Sequence, residues 1–185
     1  MPKRCGHTQG KDVVDRTEAE RRIRAAVDAR QELVREEGLD IVLVARTDAA
    51  GVPGHGVDEA IARCSRFHAL GAEVTFLEAP LDEATMQRYC SAVEGHCMAN
   101  MLEGGGRTPM LPLPELGRLG FRLAAYPLTL LSAAVRAQQR ALAHLMAHGL
   151  PPRAGNGSTD ALLPFKDLCT LVGFDDYDAT RQRYK

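Results

Sequence analysis

No apolar run in these 185 residues approaches the roughly 18 needed to cross a bilayer. The longest candidate, Leu123 to Val135, is short and interrupted by Pro127. A secretory leader is also lacking, because the basic start Met1-Pro2-Lys3-Arg4 has no apolar stretch behind it. Charge of one sign is missing too. Lys plus Arg number 23 and Asp plus Glu 24, a formal net of −1. Such a balance excludes the broad basic face on which nucleic-acid binding depends. The cluster Arg21, Arg22 and Arg24 reads instead as the solvated side of a helix. No CxxC pair exists, which argues against a structural zinc site. The five cysteines (5, 64, 90, 97 and 169) are odd in number and widely spaced. They fit free thiols in a reducing compartment, either cytoplasm or organelle matrix, and not a disulfide framework.

What the sequence does have is alternation. With 45% hydrophobic and 25% charged residues it has the balance of a globular domain. Residues 17–36 repeat apolar positions at helical spacing. Thr17 with Glu20 suggests a capping box, and Gly38 a stop. The run 40–45 is continuously apolar and β-branched after Asp40. That predicts a strand buried on both faces, as in a parallel sheet. Further strands are expected at 73–77, 97–99 and 121–125. Helices are expected at 57–70, 82–93, 114–119 and 128–148. Short links and strict alternation mean βα units on a parallel sheet. A Pro- and Gly-rich linker at 150–160 precedes helical segments at 162–172 and 174–184. The expected division is a βα body over 1–149, then linker and helices over 150–185.

Each expected strand ends in polar residues: Arg46 and Asp48, then Glu78, then Asn100 and Glu103, then Tyr126 and Thr129. One such residue is often only a loop cap. Four strands in succession point to a site on the carboxyl-terminal rim, where α/β folds build them. Four strands alone cannot close an eight-stranded barrel. They form either a small open sheet or part of something larger.

The motifs carry a resemblance. Pro2-Lys3-Arg4-Cys5-Gly6-His7 resembles the catalytic-loop signature of the isocitrate lyase/phosphoenolpyruvate mutase superfamily. Ala45-Arg46-Thr47-Asp48-Ala49 is similar to its fifth-strand motif and Phe76-Leu77-Glu78-Ala79-Pro80 to its sixth. Ala99-Asn100-Met101-Leu102-Glu103-Gly104-Gly105 resembles the seventh, and Ala125-Tyr126-Pro127-Leu128 the eighth. The tail Pro164-Phe165-Lys166-Asp167-Leu168 matches as well. The branch most resembled is the plant-type carboxyvinyl-carboxyphosphonate phosphorylmutase branch, with its petal-death-type lyases.

The resemblance implies an α/β chain that is the second half, strands 5–8, of a (β/α)₈ TIM barrel plus C-terminal helices. It implies an Mg²⁺-dependent carbon–carbon lyase acting on 2-hydroxy or 2-oxo dicarboxylates of 2-alkylmalate, oxaloacetate or methylisocitrate type. Cys5 would be the general acid/base, in a basic loop whose Lys3, Arg4 and His7 favour thiolate. Gly6 would act as a hinge and His7 would order the loop. Arg46 would clamp a substrate carboxylate, Asn100 would hydrogen-bond one, and Glu78 would orient substrate or loop. The Mg²⁺ ligands of the superfamily precede the catalytic loop, so none is expected among these residues. Homo-oligomers through the C-terminal helices are implied, with no nucleic-acid or membrane partner. Two alternatives stand beside this: a non-catalytic half-barrel acting through interactions, and a phosphonomutase. The cysteine-bearing loop favours the lyases over the mutase.

Overall fold

The computed structural model describes residues 10–153 and 162–184. The catalytic-loop residues Cys5, Gly6 and His7, and most of the expected linker, lie outside them. The chain divides into two compact units, residues 1–129 and 130–185. The division falls near the start of a helix.

The first unit opens with helix α1 (Arg16–Glu37), closed by Gly38 at φ +67°. The cap at its start differs from expectation. Asp15, not Thr17, is the N-cap, and its carboxylate accepts from the Glu18 N–H at 2.8 Å. Strands β1 (Val44–Thr47), β2 (Val74–Leu77), β3 (His96–Asn100) and β4 (Phe121–Ala125) follow. Between them run α2 (Gly56–Ala69), α3 (Glu83–Ala92) and α4 (Leu113–Leu119). The strands lie in sequence order, β1-β2-β3-β4, and every pairing is parallel. That is the βα repeat expected from the alternation.

The first strand departs from its prediction. It begins at Val44, not Asp40, and Ile41 and Val42 are exposed. Side chains engage this segment before the ladder can. Asp40 is gripped by Arg30 at 2.6 and 2.9 Å, and the Leu43 N–H donates to the Glu73 carboxylate at 2.9 Å. Nor is β1 buried on both faces. Ala45 and Thr47 are buried, while Val44 and Arg46, on the alternate face, are exposed. β1 is an edge strand of this sheet, with a neighbour on one side only.

Burial on both faces belongs to β2, where all four residues are buried. Its Thr75 and Leu77 meet the helices. The Thr75 hydroxyl bonds the Tyr89 hydroxyl of α3 at 2.7 Å, and Leu77 packs in a cluster with Ile61, Met86, Tyr89 and Leu116. Strand alternation then sends Val74 and Phe76 to the other face, together with Arg46.

The second unit holds α5 (Thr129–His148, starting at the unit boundary), α6 (Phe165–Leu171) and α7 (Phe174–Gln182). None of the three contains a buried residue.

Candidate active site

The polar residues that end the strands fall into two groups. Arg46, Glu78 and Asn100 come from three successive βα units and meet at the carboxyl-terminal rim. An Arg46 terminal amino group lies 2.9 Å from Glu78 Oε2. Asn100 Nδ2 donates to Glu78 Oε1 at 3.4 Å. Glu78 is 1% exposed and Arg46 is 43% exposed, so the carboxylate forms the floor and the guanidinium faces outward. Arg46 is held further by Asp48, which accepts from Nε at 2.7 Å and from Nη2 at 3.1 Å. Its guanidinium carbon sits 5.1 Å from the Phe76 ring centroid. Two carboxylates and a ring fix the planar fork before any ligand arrives, which is the preorganisation carboxylate recognition needs.

The local backbone supports this placement. The register sets Arg46 opposite Phe76, so stacking follows from strand pairing. Ala79, directly after Glu78 and before Pro80, has φ +56°. A non-glycine residue in the left-handed region is strained by roughly 1–3 kcal/mol, and such strain gathers at functional sites.

The second group is structural. Glu103 accepts from the Leu128 N–H at 3.0 Å and from the Thr129 hydroxyl, tying down the link into α5. The Thr129 bond holds the Glu103 carboxyl below its ordinary range. Tyr126 is part-exposed.

Two contributors were not singled out in the sequence. Lys11 is 8% exposed, and its ammonium lies 3.7 Å from Asp48. Phe76 supplies the ring under Arg46. Phe76 could have been found from its position, two residues before Glu78 on the same strand face. Lys11 had no signal, because its contact joins residues 37 positions apart through space.

The described cysteines do not serve this site. Cys64 and Cys97 are buried on the helix side of the sheet, and burial pushes the Cys64 thiol up to about 12. That protonated Cys64 thiol is inert, whereas a hydrogen bond from Cys90 holds the Cys97 thiol down at about 7 on the face away from the rim. Nor do the described residues fit a divalent cation. No three His, Cys, Asp or Glu among them group closely enough to hold one. Asp48 is already bonded to Arg46 and Lys11.

A parallel βα sheet whose strand ends converge on a preset arginine invites comparison with known proteins. The family model described as phosphoenolpyruvate phosphomutase matches residues 3–146. The chain belongs to that family. It is 33% identical over 184 residues to 2,3-dimethylmalate lyase of Eubacterium barkeri, covering 100% of this chain and 59% of that protein. It is also 33% identical over 184 residues to the chloroplastic carboxyvinyl-carboxyphosphonate phosphorylmutase of Arabidopsis thaliana, covering 99% of this chain and 51% of that one. A crystal structure of 2,3-dimethylmalate lyase, a PEP mutase/isocitrate lyase superfamily member, superposes with a TM-score of 0.83 at 32% identity. The match takes in 98% of this chain and 56% of that one. The fold is thus half of a TIM barrel of that superfamily, and the chain spans about half the length of the relatives it matches. Those relatives are lyases and mutases. No helix among the described residues is long and apolar enough to cross a membrane.

Proposed function

We propose that these residues form the carboxylate-binding half of a carbon–carbon lyase acting on small 2-hydroxy or 2-oxo dicarboxylates. The observation that carries this reading is the convergence of Arg46, Glu78 and Asn100 from three successive strands. The Arg46 fork would take one substrate carboxylate in a charge-assisted, two-point contact. Asn100 offers a second N–H to the same group while its first remains on Glu78. Glu78, buried and bonded to both, acts as a positioning residue. The relatives support the chemistry: one of them is a 2,3-dimethylmalate lyase that aligns with the whole of this chain.

Cleavage leaves electrons on the carbon that loses its partner, and a proton must reach it. By its resemblance to the superfamily loop, Cys5 would deliver that proton from its thiol, with Gly6 and His7 shaping the loop. Mg²⁺ is the ion the superfamily resemblance implies. The described residues do not form its site, so no step is assigned to it here. Oligomer formation through the carboxyl-terminal helices is part of the proposal. Leu130, Phe165 and Leu171 are exposed on helices that bury nothing.

The test is calorimetric titration of the 185-residue chain with oxalate and oxaloacetate, alongside an assay for oxalate release. Weak binding without turnover is expected. A chain that binds without stabilising the developing charge does not accelerate chemistry. Arg46→Lys should weaken binding about tenfold or more, since Lys cannot reproduce the two-point fork. Binding that ignores Arg46→Lys would overturn the assignment, and so would ordinary enzymatic turnover by this chain alone.

A further inference from the structure

The outer helical layer contains a cavity that the rim site does not use. It has a volume of about 400 Å³, lies between α1 and α2, and is lined by Arg16, Glu20, Arg63, Ser65, Arg66 and Phe67 among others. It sits on the far side of β1 from the rim arginine. Phe67 packs with Ala45 on the helix-facing side, and the next residue, Arg46, points to the opposite face.

Arg63 is the unusual member. It is 4% exposed, and its Nε donates to Glu59 at 2.7 Å. Among the described residues its two terminal amino groups make no hydrogen bond. A buried guanidinium normally has its donors satisfied. The surrounding charges do not complete it. Arg16 occupies Glu59 through Nε at 3.0 and 3.1 Å, and Arg66 occupies Glu20 at 3.1 Å. Arg24 also lies 3.7 Å from Glu20, so four guanidiniums share two carboxylates and the cavity is bordered by an excess of positive charge. The remaining wall is apolar, formed by Phe67 with Ala62 and Ala69.

We infer that this cavity binds a small monocarboxylate with a short apolar tail, its carboxylate on Arg63 and its tail against Phe67. An anionic head group matches the excess of positive charge around the cavity. A planar carboxylate fits the parallel donors of a guanidinium end. The volume lies in the range of small-molecule sites, about 300–1,000 Å³.

The experiment titrates sodium butyrate into the 185-residue chain by calorimetry, with inorganic phosphate as the competing anion. Saturable millimolar binding is expected. Arg63→Met should weaken it about tenfold or more, the loss of a charge-assisted contact. Arg66→Gln leaves the Arg63–Glu59 pair in place, guards against a folding artefact, and should weaken binding as well. Arg118→Gln, on α4 and outside both the cavity and the rim, should leave it unchanged. Three results would each overturn the inference: no saturable binding, tighter binding of phosphate than of butyrate, or loss of binding in Arg118→Gln with retention in Arg66→Gln.

Discussion

The two faces of the same sheet are built differently. On the helix-facing side, Thr75, Leu77, Cys97 and Ala99 are all buried; one cluster joins the last three to α2, α3 and α4, and Thr75 bonds Tyr89 of α3. On the opposite face only the middle is closed. Val74 and Phe76 are buried, but Val44 on β1 is 47% exposed and Leu123 on β4 is 40% exposed. The helix-facing side therefore supplies most of the packing of this unit, and the opposite face carries the proposed site. Arg46 and Asn100 extend from that second face, which can hold polar groups because packing does not claim it. The carboxylate that anchors them, Glu78, lies between the two regimes: buried, yet paired with the rim groups Arg46 and Asn100.

Truncation should separate the faces most sharply. Leu77→Ala opens a cavity in the helix-facing cluster and should cost about 2–5 kcal/mol. Leu123→Ala removes a side chain already half in solvent and should cost under about 1 kcal/mol. Urea unfolding of both variants measures the contrast. Equal losses would mean the opposite face is sealed after all.

Much of this division was legible in the residues. The four strands were legible as segments, but burial on both faces was expected of 40–45 and belongs instead to β2, whose Thr75 interrupts its apolar run. Polar residues at successive strand ends announced the rim, and the motif resemblance singled out Arg46, Glu78 and Asn100 there. The segment before β1 misled because composition reports preference, not pairing. Ile41 and Val42 have strand-forming side chains, but Arg30 and Glu73 take the polar groups around them. Lys11 was invisible because nothing local links it to Asp48. The open terminal donors of Arg63 were equally hidden, since on sequence alone Glu59 and Arg63 form only an ordinary pair one helical turn apart.

A smaller effect tests the polar part of the helix-facing core. Thr75→Val keeps the shape but deprives the buried Tyr89 hydroxyl of its 2.7 Å partner. An unmet buried hydroxyl costs about 1–3 kcal/mol. Tyr89→Phe should recover part of that loss in the double variant, because it removes the stranded group. A double-mutant cycle by thermal or urea unfolding reads this coupling. Strictly additive losses would show that the bond contributes nothing of its own.

Acid should act on the helical layer before it acts on the apolar core. Hydrogen bonds from Arg16, then from Arg63, hold the Glu59 carboxyl at about 2 against an ordinary 4.5. A group with a depressed folded-state pKa binds its proton more readily unfolded. Its contribution is fully present above about pH 4.5 and is lost as pH falls toward about 2. Arg16 is half-exposed, so solvent screening limits the pair, and Glu59→Gln should cost about 1 kcal/mol at neutral pH. The variant's unfolding midpoint should also fall less steeply than the parent's through that acid range. Parallel pH curves would remove Glu59 from the account.

The smallest effect lies at the start of α1, the outermost helix of that layer, where only Ala19 is buried. Two overlapping signals compete there. Asp15 precedes Glu18 by three residues, and Thr17 precedes Glu20 by three, so either could begin the helix. Asp15 wins because its carboxylate reaches the Glu18 N–H at 2.8 Å while its own backbone, at φ −58° and ψ 163°, is not helical. Thr17 already lies inside the helix, where its hydroxyl has no end to cap. Asp15→Ala should therefore cost about 1 kcal/mol, the usual loss for an N-cap, whereas Thr17→Ala should be near neutral. Amide exchange in the first turn of α1 resolves the two even if global unfolding cannot. Protection should fall in Asp15→Ala and persist in Thr17→Ala, and the reverse pattern would place the cap at Thr17.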